Sequence, residues 1–143
     1  MAFSSILVAI DIHDHDHAKS ALAAAAALSA GGAKVHILYV RYFLPVNYEG
    51  AITVDFDTQE ITEAQRQVDE WKVEFGLTHA TFASHPGRVR DEVLDEAQRV
   101  GADLIIIGSH QPSLSSRVLG SNAAAIVRNS PISVLIARQK EIG

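Results

Sequence analysis

The chain has 143 residues, enough for one domain with a real core and too few for two. Its 48% hydrophobic and 20% charged residues exclude a disordered chain, and a net charge of −5 without a Lys/Arg cluster gives no footprint for nucleic acid. The absence of cysteine excludes a disulfide framework, a thiolate metal site and a cysteine nucleophile together. No apolar stretch reaches the roughly 18 residues of a membrane span, and the start carries no basic segment or cleavage site, so the expected setting is the cytoplasm, with no membrane partner.

Ser5 to Ile10 (SILVAI) is aliphatic on both alternating faces, as in a buried strand of a parallel sheet, and Asp11 stops it. Beyond a polar loop, Ala18 to Ala30 is alanine-rich and predicts a helix, because Ala loses no side-chain entropy on ordering; Gly31-Gly32 supplies its left-handed exit. Val35 to Val40 (VHILYV) is the second strand. Arg41 to Asp57, with Pro45, Gly50 and the aromatics Tyr42, Phe43 and Tyr48 among its residues, has no clear periodicity and reads as a long connection. Thr58 is placed to cap a helix running to Phe75, whose Ile61, Ala64, Val68, Trp71 and Phe75 recur every three or four residues as a core stripe. Thr78 to Ser84 predicts a third, edge strand, and His85-Pro86-Gly87 a turn. Val89, Val93, Leu94, Ala97 and Val100 define an amphipathic helix closed by Gly101. Asp103 to Ile107 (DLIII) is the fourth strand, Leu119 to Arg128 a helix, and Ser133 to Ala137 (SVLIA) the fifth strand after Pro131.

Strands separated by helix-length segments predict an α/β fold: a single doubly wound, five-stranded parallel sheet, Rossmann-like, over residues 1–143. By analogy with common folds the strand order is 3-2-1-4-5. The ligand crevice then lies where the winding reverses, between strands one and four. That order brings Ala9, Ile10 and Asp11 opposite Ile107, Gly108, Ser109 and His110, where the sequence turns from apolar to small and polar.

Gly108 to Asn122 (GSHQPSLSSRVLGSN) is the most informative stretch. Its glycines let backbone amides approach an anion, and Ser121 and Asn122 fall near a helix start, where unpaired N–H groups and the dipole favour phosphate. A plain loop followed by a helix cap explains the same text. It is neither a GxxxxGK[ST] loop nor a GxGxxG fingerprint, and no lysine lies between Lys72 and Lys140. Phosphoryl transfer would therefore lack its usual charge stabilisation, which favours binding over turnover and leaves no catalytic residue to name.

His13-Asp14-His15-Asp16-His17 offers ligand types suited to zinc, nickel or manganese. Neighbouring residues rarely converge on one ion, so the plainer reading is a solvated loop with Asp14 or Asp16 capping the first helix. A divalent ion bridging Asp11 or a loop carboxylate to a nucleotide is the other. His36, His79 and His85 read as surface or satisfied residues, and Arg117 as either a phosphate contact or a solvated side chain.

The segments ILVAID, ADLIIIGSH and LGSNAAAIVRNSPISVLIAR together resemble the universal stress protein family, in matching order and spacing over about residues 4 to 138. The resemblance implies a Rossmann-like domain that in many members binds ATP. Ala9, Ile10 and Asp11 match the segment lining adenine and ribose, and Val40 matches an adenine contact at the end of the second strand. Gly108, Ser109 and His110 match the start of the phosphate loop, and Gly120, Ser121 and Asn122 its second half at the helix start. The chain departs from the family's GxxG-nine-G[ST] pattern: Gln111 replaces the second glycine, and eight residues separate it from Gly120. The loop nevertheless resembles a GSRNPS-type subgroup that binds ATP. The implied ligand is ATP, with ADP or AMP as alternatives and Mg or Mn able to accompany it. The implied role is a stress or signalling module, and the implied assembly a homodimer through the last strand. A nucleotide-free dimeric scaffold on the same fold is the competing reading.

Overall fold

The computed structural model describes residues 3–41, 50–108 and 119–138, with the backbone alone for 50–57. Nine elements alternate along the chain: β1 (Ser5–Ile10), α1 (His15–Leu28), β2 (Lys34–Arg41), α2 (Gly50–Glu74), β3 (Thr81–Pro86), α3 (Val89–Val100), β4 (Leu104–Gly108), α4 (Ser121–Asn129) and β5 (Ser133–Ala137). The strands form one parallel sheet in the order β3-β2-β1-β4-β5, as expected.

β1 lies at the centre and is apolar on both faces because both are covered. Ile6, Val8 and Ile10 pack with α1 and α2, with Trp71 (2% exposed) in the same cluster. Leu7 on the opposite face packs with Val93 and Ala97 of α3 and with Ala123 and Ile126 of α4. The small side chains Ala18, Ala21 and Ala25 let α1 lie close to the sheet, and all three are buried. Asp103, just before β4, fastens the start of the sheet: its carboxylate accepts from the Ser4 and Ser5 amides, each at 2.9 Å. Those amides, Ser4's first, hold its carboxyl below the ordinary carboxylate range.

Several boundaries differ from the sequence reading. α1 begins at His15, capped by Asp14, and ends at Leu28, so the left-handed Gly32 (φ 109°) lies beyond its exit rather than at it. α2 begins at Gly50, so Thr58 sits inside the helix, its carbonyl accepting from the Thr62 hydroxyl, and does not cap it. Ile61 is 42% exposed and leaves the core stripe to Ala64, Val68 and Trp71. β3 runs to Pro86, which an edge strand tolerates because it needs no ladder donor on its open side. The residues before β3 instead close α2: Gly76 (φ 69°) turns the chain, and the Leu77 amide reaches back to the Lys72 carbonyl at 2.7 Å.

A buried acid joins α3 to β2 and β3. Glu96, 2% exposed, accepts from His36 Nε2–H at 2.6 Å and pairs with Arg99. His36 Nδ1 then accepts the Thr81 hydroxyl at 2.6 Å, and His85 Nε2 accepts from Arg99 at 2.7 Å. His36 and His85 are thus satisfied structural residues. Burial, then the Arg99 charge, holds the His36 pKa below the ordinary 6.5. A histidine whose folded pKa is depressed binds fewer protons folded than unfolded, so the stability it contributes is full above pH 6.5 and falls as pH drops below it. The urea midpoint is expected to decline from pH 7.5 to 5.5, and less steeply in His36→Gln. Identical pH slopes for the two proteins would contradict this.

Candidate functional site

β1 and β4 lie side by side, with Ala9 level with Ile107. The chain leaves β1 for α1 on one face of the sheet, whereas α4 packs on the other. Nothing in the sheet fills the divide between these departures, and a cavity of about 490 Å³ opens there, within the usual range for small-molecule sites.

Nine of the eleven residues expected to contact a nucleotide line this cavity, as do His13, Asp14 and His17. Ala9, Ile10 and Asp11 come from the end of β1, and Val40 from the end of β2. Ile107 and Gly108 come from the end of β4, and Gly120, Ser121 and Asn122 from the start of α4. Ser109 and His110 lie outside the described residues, as do Gln111 and Arg117.

The walls differ chemically. Leu38, Val40 and Val89 give an apolar side able to take a flat ring. Asp11, exposed at the mouth, uses one carboxylate oxygen to accept the His13 amide at 2.9 Å, and its carbonyl accepts the Asp14 amide at 3.1 Å. This tight turn fixes where the acid points. Opposite, Gly120 is the N-cap of α4 in an extended conformation, and the first intrahelical bond is Ala124 N–H to the Gly120 carbonyl at 2.9 Å. The amides of Ser121, Asn122 and Ala123 therefore precede the helical ladder, and no acidic residue in the first turn offsets their partial positive charge. That end of the cavity suits an anion.

Gly108 has a packing reason for lacking a side chain. A Cβ there would lie 2.8 Å from the His17 carbonyl oxygen and 2.9 Å from His17 Cβ, so the first turn of α1 passes directly over the end of β4. Asp14 caps that turn and binds His17 Nδ1 at 2.8 Å. His13 pairs with Glu60 at 3.1 Å, and His15 packs edge-on against Trp71. The alternating His/Asp segment thus diverges, and no group of three or more metal-binding side chains converges among the described residues.

Several cavity residues escaped the sequence reading. Tyr39 and Arg41 flank Val40 at the end of β2; Tyr39 is level with Ile10, so strand register could have found it. Gly87 and Val89 enter from the β3–α3 turn, where Gly87 (φ 142°) donates its amide to the Arg41 carbonyl at 3.3 Å. Extending the strand-end rule to the third strand would have pointed to them.

This fold defines a Rossmann-like α/β protein with a cavity at its topological switch point. The sequence model of the universal stress protein family matches residues 2–138, and the chain belongs to that family. Universal stress protein G of Shigella flexneri is 28% identical over 141 residues, covering 95% of this chain and 99% of that protein. A universal stress protein solved in complex with cAMP, 21% identical, superposes with a TM-score of 0.75 over 98% of this chain and 100% of that one. The universal stress protein from Archaeoglobus fulgidus in complex with dAMP, 20% identical, gives 0.65 over 95% and 98%. Among the described residues no helix is long and apolar enough to cross a membrane.

Proposed function

We propose that this chain, a single domain over residues 1–143, binds an adenine nucleotide, ATP foremost, as a cytoplasmic stress-response or signalling module with little or no turnover. The observation that carries the reading is one cavity with an acid-bearing turn, Asp11, at one end and the unpaired amides of α4 at the other. Asp11 accepts a ribose hydroxyl, the apolar wall at Leu38 and Val40 takes the adenine, and Gly120, Ser121 and Asn122 receive the phosphates. Gly108 begins the phosphate loop, with Ser109 and His110 as further contacts. The complexes of two related folds with cAMP and dAMP support an adenine ligand, and the GSHQPS text supports the ATP-binding subgroup. Mg or Mn would be held by the nucleotide's own phosphates with at most one or two carboxylates such as Asp11, the usual mode for a small hard cation. In calorimetry, an affinity for ATP unchanged by EDTA would remove the ion from the account.

Asp11→Ala is expected to weaken ATP and adenosine alike, by about tenfold or more, as loss of a charged hydrogen-bond partner does. A loss confined to the triphosphate would assign Asp11 to metal or phosphate instead. A folded dimer that binds no adenine nucleotide would favour the nucleotide-free scaffold.

β5 stands at the sheet edge with Val134, Leu135 and Ile136 only partly buried, and a bare edge of this kind invites pairing. A homodimer through β5 is the expected assembly. Sedimentation showing a monomer at tens of micromolar would contradict it.

A further inference from the structure

We propose that Glu60 of α2 is a positioning residue that ties the Asp11–His13 turn to β2 and so sets the sugar end of the cavity. Glu60 does not line the cavity itself, yet both of its partners do. The hydroxyl of Tyr39, a residue only 4% exposed, donates to Glu60 Oε2 at 2.7 Å. His13 Nε2–H donates to Oε1 at 3.1 Å, and the two rings meet edge to face with centroids 6.4 Å apart. His13 in turn gives its backbone amide to Asp11. One carboxylate therefore connects a strand end to a loop that local hydrogen bonds also brace, among them Asp11 Oδ1 with the His13 amide and the Asp11 carbonyl with the Asp14 amide. Glu60 is mostly shielded from water, with 17% of its side chain exposed, which strengthens the part-buried Tyr39 contact over its worth at the surface, whereas the His13 side of the bridge is open to water. Burial, with Glu60 after it, raises the Tyr39 pKa, so the hydroxyl remains a donor throughout the neutral range. Nothing in the sequence marks Glu60: it stands 21 residues from Tyr39 and 47 from His13, on the helix whose start the periodicity missed.

The inference rests on the reading that Asp11 holds a ribose, and the test separates the two. Wild type, Glu60→Ala and Glu60→Gln are titrated with ATP, adenosine and inorganic tripolyphosphate, and amide hydrogen exchange is followed at His13 and Asp14. Glu60→Ala should accelerate exchange at both amides and weaken ATP and adenosine equally, by about fivefold, the size of one lost hydrogen bond. Tripolyphosphate binding should not change. Glu60→Gln, whose single oxygen can accept from the Tyr39 hydroxyl while its amide N–H donates to His13 Nε2 in the other tautomer, should recover most of the affinity. Adding Glu60→Ala to Asp11→Ala should cost nothing further for adenosine, because Glu60 acts through that turn. Unchanged exchange at His13 and Asp14 would overturn the positioning role whether or not the nucleotide reading stands. Accelerated exchange with unaltered adenosine affinity, an additive double variant, or an equal loss for tripolyphosphate would also overturn it. A wild-type protein that binds neither ATP nor adenosine would overturn the nucleotide reading, and this inference with it.

Discussion

Gly120→Val is expected to weaken ATP binding by at least about tenfold, with the fold retained. Gly120 sits at φ −61° and ψ 154°, a conformation open to any residue, so valine there meets no left-handed strain. The helix still begins at Ser121, at the modest cost of replacing a glycine cap with a β-branched residue. What changes is access. Without a side chain at the cap, an anion can come within hydrogen-bonding distance of the Ser121, Asn122 and Ala123 amides, and two added methyl groups would hold it away. Calorimetry on the folded variant checks this. An unaltered ATP constant would mean that the start of α4 is not where phosphate binds.

Gly108→Ala is expected to lower stability by about 1–3 kcal/mol, the usual cost of forcing atoms into a packed contact. The added methyl would approach the His17 carbonyl oxygen to 2.8 Å, and because this neighbour is backbone it cannot swing aside. Either the end of β4 or the first turn of α1 must shift, and both border the cavity. The variant should therefore lose ATP affinity together with stability, unlike Gly120→Val. An unchanged urea midpoint would contradict the close approach of α1 to β4.

The two glycines show how the sequence could mark positions that the fold brings together and still miss why they are crowded. The text after the fourth strand marks both as places where a side chain is unwelcome, and both line the cavity. For Gly108, however, the crowding neighbour is α1, an element 91 residues earlier in the chain (108 − 17), and no local pattern encodes that contact. The strand cores were legible because β1 and β4 are apolar on both faces, which only a covered parallel sheet explains. The order β3-β2-β1-β4-β5 was reached by analogy, and it is what places Asp11 across from α4.

α2 was the least legible element. Its first turns contain Gly50, Thr53 and Val54, weak helix formers, and among the side chains described from Thr58 onward the buried stripe starts at Ala64. Ile61 fits that stripe by spacing but lies on the exposed side. The same helix carries Glu60, whose partners come from β2 and from the loop after β1. The His/Asp run from His13 to His17 misleads in the opposite direction. Its residues look like one cluster, yet successive side chains on a loop and helix start point apart, to Glu60, Trp71 and Asp14 in turn.

The central claim is that the first amides of α4 receive the phosphates of a nucleotide whose sugar rests on Asp11. Backbone amide resonances recorded while ATP is added report on both ends at once. Saturable, concerted shifts at Ser121, Asn122 and Ala123, together with His13 beside the acid, are the predicted result. If those four resonances stay fixed through millimolar ATP, the crevice between β1 and β4 is not a nucleotide site.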